Sequence, residues 1–260
     1  DRVRARRRAA LGCIFDLRVG QRLLQGTDMN IPLLSNDVYA LTQSDIQGHF
    51  LTTGDQARGV NVLAVQTQTP WGSDNAAQLK ETIDTYLANH PEVDKGRIYL
   101  AGVSNGGGMV LTMGATYPDY FAALIPIAAP LTVDQSGIDK LKNQPMWLIH
   151  TKADATVQPE NSVLPLYKSF ITSSATSKWV TYFDTATVTD LAGTKYDGHW
   201  AWIYFFHDQV IGVQHPENTK NWEGYSGMVA TDPTNGGGSR ASVNGQTYNS
   251  IFDWMSAQRH

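Results

Sequence analysis

Between Gly96 and Pro118 the chain reads GRIYLAGVSNGGGMVLTMGATYP. An apolar, β-prone run passes through glycines directly into an apolar helical pattern, and one serine, Ser104, stands at the junction. A strand that turns into a helix within one or two residues needs small neighbours where the two segments pass. The fold this predicts is one in which strands end at an edge and helices return across the sheet.

The surrounding text repeats that arrangement. VNVLAVQTQ (60–68) is a short β-branched run, and SDNAAQLKETIDTYLANHP follows with Ser73 or Asp74 as cap and Leu79, Ile83, Tyr86 and Leu87 on one helical face. RIYLAG, FAALIPIAAP (121–130), PMWLIH (145–150) and KWVTYFDT read as further strands. GGGMVLTMGATYP, ENSVLPLYKSFITSS and the closing NSIFDWMSAQRH read as helices. Strand and helix in alternation predict an α/β fold, a mainly parallel, doubly wound sheet with helices on both faces. At 260 residues with 42% hydrophobic content the chain can bury one large core, so residues 26–260 are expected to form a single catalytic domain. Residues 214–245, rich in Pro, Asn, Gly, Ser and Thr, are expected to be a long surface loop.

Residues 1–25 differ in composition. Seven of the eleven arginines fall within the first 22 residues, without the apolar core or cleavage pattern of a secretion signal. The segment reads as a solvated basic arm or as an out-of-frame stretch of the gene. A net charge of −4 gives no polyanion-binding footprint, and no apolar run approaches the ~18 residues of a membrane span, so nucleic acid and membrane partners are not expected. The single cysteine, Cys13, cannot form an internal disulfide and leaves the compartment open. Low charge together with a surface rich in Trp and Asn suggests an extracellular or periplasmic location.

Gly102-Val103-Ser104-Asn105-Gly106 is G-x-S-x-G in the strand–turn–helix context of a nucleophile elbow. A serine before a helix is also an ordinary N-cap, so its reading depends on partners. The hydroxyl needs a base, and the base needs an orienting acid. Asp154, in the loop after PMWLIH, is the leading acid, although aspartates are common in such turns; Asp184, after WVTYF, is the alternative. Of seven histidines, His199 in KYDGHWAW occupies the expected place for the base, with His207 the alternative and His150 a neighbour that organises the acid loop. The backbone N–H of Asn105, at the start of the helix after Ser104, is expected to donate to an oxyanion. Trp71, Trp147, Trp200 and Trp202 lie near loops that could wall a pocket, Trp200 and Trp71 being the better candidates.

The strings RIYLAGVSNGG, MWLIHTKADATVQPENS, YDGHWAW and IFDWMSAQ resemble the α/β-hydrolase serine esterases of the predicted-peptidase branch, near polyhydroxybutyrate-depolymerase-like and feruloyl-type esterases. The resemblance covers about residues 26–260 and implies nucleophile, acid and base at Ser104, Asp154 and His199. The family's acid motif begins His-Gly, where this chain has His150-Thr151. QGTDMNIPLLSN resembles the segment after the family's oxyanion loop. The His-Gly-x-Gly strand end that should precede it is replaced by DLRVGQRLLQG, so the second oxyanion donor has no assignment. The chemistry implied is carboxylic ester hydrolysis through an acyl-enzyme, on a small or polymeric ester, without cofactor or metal. A serine peptidase or a catalytically silent binding module is the alternative.

Overall fold

In a computed structural model the described residues are 9–15, 39–50, 59–67, 69–130, 132–183, 186–210, 241–243, 246–248 and 250–260. Six strands form one sheet in the order β2-β1-β3-β4-β5-β6, every neighbouring pair parallel. They are β1 (Ala9–Phe15), β2 (Val60–Val65), β3 (Val93–Val103), β4 (Ala123–Ile127), β5 (Met146–Thr151) and β6 (Lys178–Phe183). The strand runs expected from sequence are present, most of them trimmed at their ends and β3 extended toward its start.

The basic N-terminal segment contributes β1, which lies between β2 and β3. Composition sets residues 1–25 apart, yet AALGCIF within them is an apolar run long enough to be a strand. Its partners are supplied by text far downstream, which is why local reading passed over it. The order reverses at this point: the chain goes outward from β1 to β2, then crosses back to β3 on the other side. Such a switch opens a crevice at the carboxyl ends of the strands.

Alternation along the strands divides the core into two layers. Tyr99, Ala101, Val103, Ile125, Ile127, Trp147, Ile149, Trp179 and Phe183 face one layer; Ile98, Leu100, Leu124, Met146, Leu148 and Val180 face the other. The second layer is covered by α2 (Ala76–Asn89), α3 (Asn105–Thr116), α4 (Gln135–Leu141) and α5 (Val163–Thr172). The first is covered by α1 (Ser44–Gln47), α6 (Trp202–Phe206) and α7 (Ile251–Ala257). In α2 the buried side chains are Ala76, Leu79, Ile83 and Leu87, while Tyr86 stacks on His90. Neither Ser73 nor Asp74 caps that helix; Asn75 accepts from the Gly72 amide instead.

Two hairpins are further features. β7 (Thr187–Thr189) pairs antiparallel with β8 (Lys195–Asp197), and β9 (Ala241–Val243) with β10 (Gln246–Tyr248). The end of the expected surface loop is therefore a strand; its residues 214–240 lie outside the described set. The buried Trp147, Trp179, Trp202 and Trp254 correct the expectation of a tryptophan-rich surface, because these rings supply core volume. No helix among the described residues is long and apolar enough to cross a membrane.

α7 is fastened from two sides. Arg97 donates to the Ser256 carbonyl at 2.8 Å and to its hydroxyl at 3.0 Å. His49 lies between Asp208 (2.8 Å) and Asp253 (2.7 Å), joining the segment after α1 to the end of α6 and to α7. The Asp208 hydrogen bond, followed by that of Asp253, outweighs burial and raises the His49 pKa to about 9. A histidine pKa raised on folding adds stability that is complete below the ordinary value of 6.5 and is lost as pH rises through 9. Lys178 acts in the opposite sense. Burial pulls its ammonium down to about 7, and its protonated form costs stability most below that value. The His49 effect is therefore read as a difference between proteins. His49→Gln should lower stability at pH 6 by about 1–2 kcal/mol after solvent screening, and the gap to wild type should narrow between pH 7 and 9.5 in thermal melts. A gap independent of pH would contradict the charged bridge.

Candidate active site

β3 ends at Val103 and α3 begins at Asn105, leaving Ser104 alone in the turn at φ 52° and ψ −120°. This is a costly backbone for a residue with a Cβ, on the order of 1–3 kcal/mol. It is held by packing on both sides. A Cβ on Gly102 would collide with the Gly106 carbonyl, and one on Gly107 would come within 2.7 Å of the Ile127 carbonyl oxygen. The Ser104 amide donates to that same Ile127 oxygen at 2.8 Å. The glycines therefore let strand, helix and β4 approach closely, and that approach pins the serine in its strained turn.

Asp154 lies in the loop after β5. Its Oδ1 accepts from the amides of Thr156 (2.9 Å) and Val157 (2.7 Å). Oδ2 lies 2.8 Å from His199 Nδ1 and 3.3 Å from His150 Nε2. Burial alone would raise the carboxyl pKa, but the hydrogen bonds from His150, His199 and the Val157 amide prevail and hold it well below the usual carboxylate range. The group is an anion at neutral pH.

His199 sits in a single 3-10 turn, Gly198–Trp200, capped by Asp197, whose side chain accepts from the His199 amide at 2.8 Å. An ionised carboxylate can only accept, so His199 Nδ1 carries the proton. Its Nε2 is then the acceptor for the Ser104 hydroxyl, 2.9 Å away. Ser104, His199 and Asp154 thus form one hydrogen-bonded line, with all three side chains buried. Of the alternatives, His207 follows α6 at its C-terminus, and Asp184 lies outside the described residues.

Several supporting contacts have little signature in the sequence. Thr151, which stands where the resembling family has glycine, donates its hydroxyl to the Gly198 carbonyl at 2.5 Å and so ties the end of β5 to the turn carrying His199. A Cβ on Gly198 would reach within 2.6 Å of the Ala153 oxygen, so glycine is required there for contact between the two loops. His150 Nε2 also lies 2.8 Å from the Val157 carbonyl; since both neighbours only accept, this nitrogen is a shared donor that closes the acid loop. The spacing Asp-x-Thr-Val signals an Asx turn; the histidine contact depends on how the loop folds back.

The aromatic residues divide. Trp202, wholly buried, stands edge-on to His199 at 5.2 Å. Trp200 stacks on Tyr196 at 4.7 Å and leans on Trp202. Trp147 is a core residue that donates to Thr181 at 2.9 Å. Trp71 is half-buried in the turn before α2 and borders a surface hollow of about 300 Å³ beside Asn105.

Asn105 is the first residue of α3, where the helix offers no internal acceptor for its N–H. β1 ends beside this turn: Phe15 pairs with Gly102, two residues before the serine. The residues that follow β1, and QGTDMNIPLLSN after them, lie outside the described set.

Comparison with known proteins agrees with this architecture. Residues 80–188 match the family described as BAAT / Acyl-CoA thioester hydrolase C terminal. A stretch of 57 residues is 44% identical to poly(3-hydroxyalkanoate) depolymerase C of Paucimonas lemoignei, covering 22% of this chain and 14% of that protein. A solved thermostable esterase superposes with a TM-score of 0.61 at 24% identity, over 78% of this chain and 52% of its own. The acylaminoacyl peptidase of Pyrococcus horikoshii aligns over 50% of this chain and 28% of its own, with 15% identity and a TM-score of 0.40. The chain thus spans about half the length of the esterase and a small part of the depolymerase. The chain has the α/β-hydrolase fold, and over these stretches it is similar to an acyl-CoA thioester hydrolase domain and to a poly(3-hydroxyalkanoate) depolymerase.

Proposed function

We propose that the protein is a serine carboxylesterase with Ser104 as nucleophile, His199 as general base and Asp154 as the orienting acid. The observation that carries this reading is the unbroken line from Ser104 Oγ through His199 to Asp154, at 2.9 and 2.8 Å, mounted on a strained strand-to-helix turn. In it, His199 Nε2 takes the Ser104 proton as Oγ attacks the ester carbonyl. The oxyanion is held by the Asn105 N–H and a second amide contributed from elsewhere. The imidazolium, stabilised by Asp154, returns the proton to the departing alkoxide oxygen. His199 then activates water to hydrolyse the acyl-enzyme and regenerate Ser104.

The same machinery can cleave amides. The identity to a depolymerase named for a polyester favours esters and adds polymeric hydroxyacid esters as a second reading of the substrate. An extracellular or periplasmic location belongs to the proposal and rests on the low charged content alone. The deciding experiment presents purified protein with short-chain aryl esters and with peptide anilides, using Ser104→Ala as control. Turnover of esters lost in the variant is expected. Anilide turnover exceeding ester turnover would make the protein a peptidase, and equal rates for the variant and wild type would remove the serine mechanism.

A further inference from the structure

The side chain of Asn105 is engaged apart from its backbone. Its Oδ1 accepts from the Trp71 amide at 2.7 Å, and its Nδ2 donates to the Trp71 carbonyl at 3.1 Å. These two bonds pair a carboxamide with the main chain of one residue, as a neighbouring strand would. They join the residue after the nucleophile to the turn between β2 and α2. That turn is braced again where the Gly72 amide donates to Asn75 Oδ1 at 3.0 Å. The main chain of Trp71 is therefore tied to the first residue of α3.

The position of that clamp gives it a consequence for substrate. Trp71, Ser73, Asn105, Gly108, Thr112 and Pro130 enclose the hollow of about 300 Å³ that opens at the start of α3. One wall is an indole, another is proline, and the helix side is floored by Gly108, which has no side chain. The hollow begins at Asn105, the residue after Ser104, and runs along α3 to Thr112; space of this size suits a flat or chain-like apolar group of a few carbons.

Resting on the esterase reading, we infer that Asn105 is a positioning residue that sets Trp71 as the wall of a subsite for the apolar substituent of the ester, and that this wall fixes the preferred length of the substituent. Removing the indole opens the hollow, and removing the carboxamide releases the main chain that carries the indole. Both changes move selectivity in the same direction.

The test measures kcat and KM for wild type, Trp71→Ala, Asn105→Ala and Asn105→Asp. The substrates are p-nitrophenyl esters from acetate to decanoate and a matching series of acetates of lengthening alcohols. Trp71→Ala should change the ratio of long- to short-chain kcat/KM by about tenfold in one of the two series. Asn105→Ala should shift the same series in the same sense. Asn105→Asp, which keeps the acceptor for the Trp71 amide but sets a carboxylate oxygen against the Trp71 carbonyl, should shift that series at least as far as Asn105→Ala. An anchor with a purely structural role would lower the melting temperature and all substrates by a common factor, leaving the ratios untouched, and that result would overturn the inference. Wild-type protein inactive on every ester would overturn the esterase reading itself, whereas unchanged length profiles in an active wild type and active variants would sink the subsite alone.

Discussion

Ser104→Ala should reduce kcat toward a good ester by about 10⁴–10⁶ with little change in KM. The alanine leaves the hollow, the helix start and the His199–Asp154 pair in place and removes only the atom that forms the acyl bond. A companion variant separates chemistry from strain. Ser104→Gly lacks the same hydroxyl and is equally inactive, but glycine adopts a positive φ freely, and Ser104 sits at φ 52°. After the extra freedom that glycine gives the unfolded chain is deducted, about 1 kcal/mol of relief remains, or roughly 2–4 °C. The glycine variant should therefore melt above the alanine variant in calorimetry. If the two melt together, the turn stores no strain.

Asp154→Asn should lower kcat by about 10⁴. Four donors converge on this carboxylate: the Thr156 and Val157 amides on Oδ1, and His150 and His199 on Oδ2. An amide in its place can turn one oxygen to two of them, and its NH₂ then faces the other pair, donor to donor. Relief comes if His199 moves its proton to Nε2, which leaves the ring unable to accept from Ser104. The same substitution should alter the acid side of the stability curve. A carboxyl pKa held below its unfolded value contributes stability above the ordinary carboxylate range, near pH 4, and loses it as pH falls further. Wild type should lose stability below pH 4 more steeply than Asp154→Asn in pH-dependent denaturation. Parallel curves would show that the converging donors do not act on the ionised form.

The layered sheet is legible from sequence because each strand from β2 to β6 carries a short, mostly apolar or β-branched run and each is followed by a turn or helix signal. The strand-to-helix turn is legible for a related reason: the turn at Ser104 needs small residues, and glycines at 102, 106 and 107 announce it. Asp154 and His199 could be named because each follows a strand at the edge where Ser104 must stand. What escapes sequence is contact between loops. Nothing local says that Thr151 reaches Gly198, that His150 touches the carboxylate of Asp154, or that Asn105 grips Trp71 across 34 residues. The β7–β8 hairpin before His199 is hidden in another way, since its strands of three residues are too short for alternation to register.

The place of β1 bears on how the chain assembles. This strand precedes both of its partners in the chain, Val60–Val65 on one side and Ile98–Gly102 on the other, so both of its edges stay bare until that later text has been synthesised. Parallel pairings of such separation close slowly and leave strand edges open to wrong partners meanwhile. The elbow inherits that delay, because the strand carrying Ser104 is flanked by β1 on one side and β4 on the other. Until β3 has docked, Ser104 stands on an unfinished sheet, and the turn that strains it has nothing to hold it.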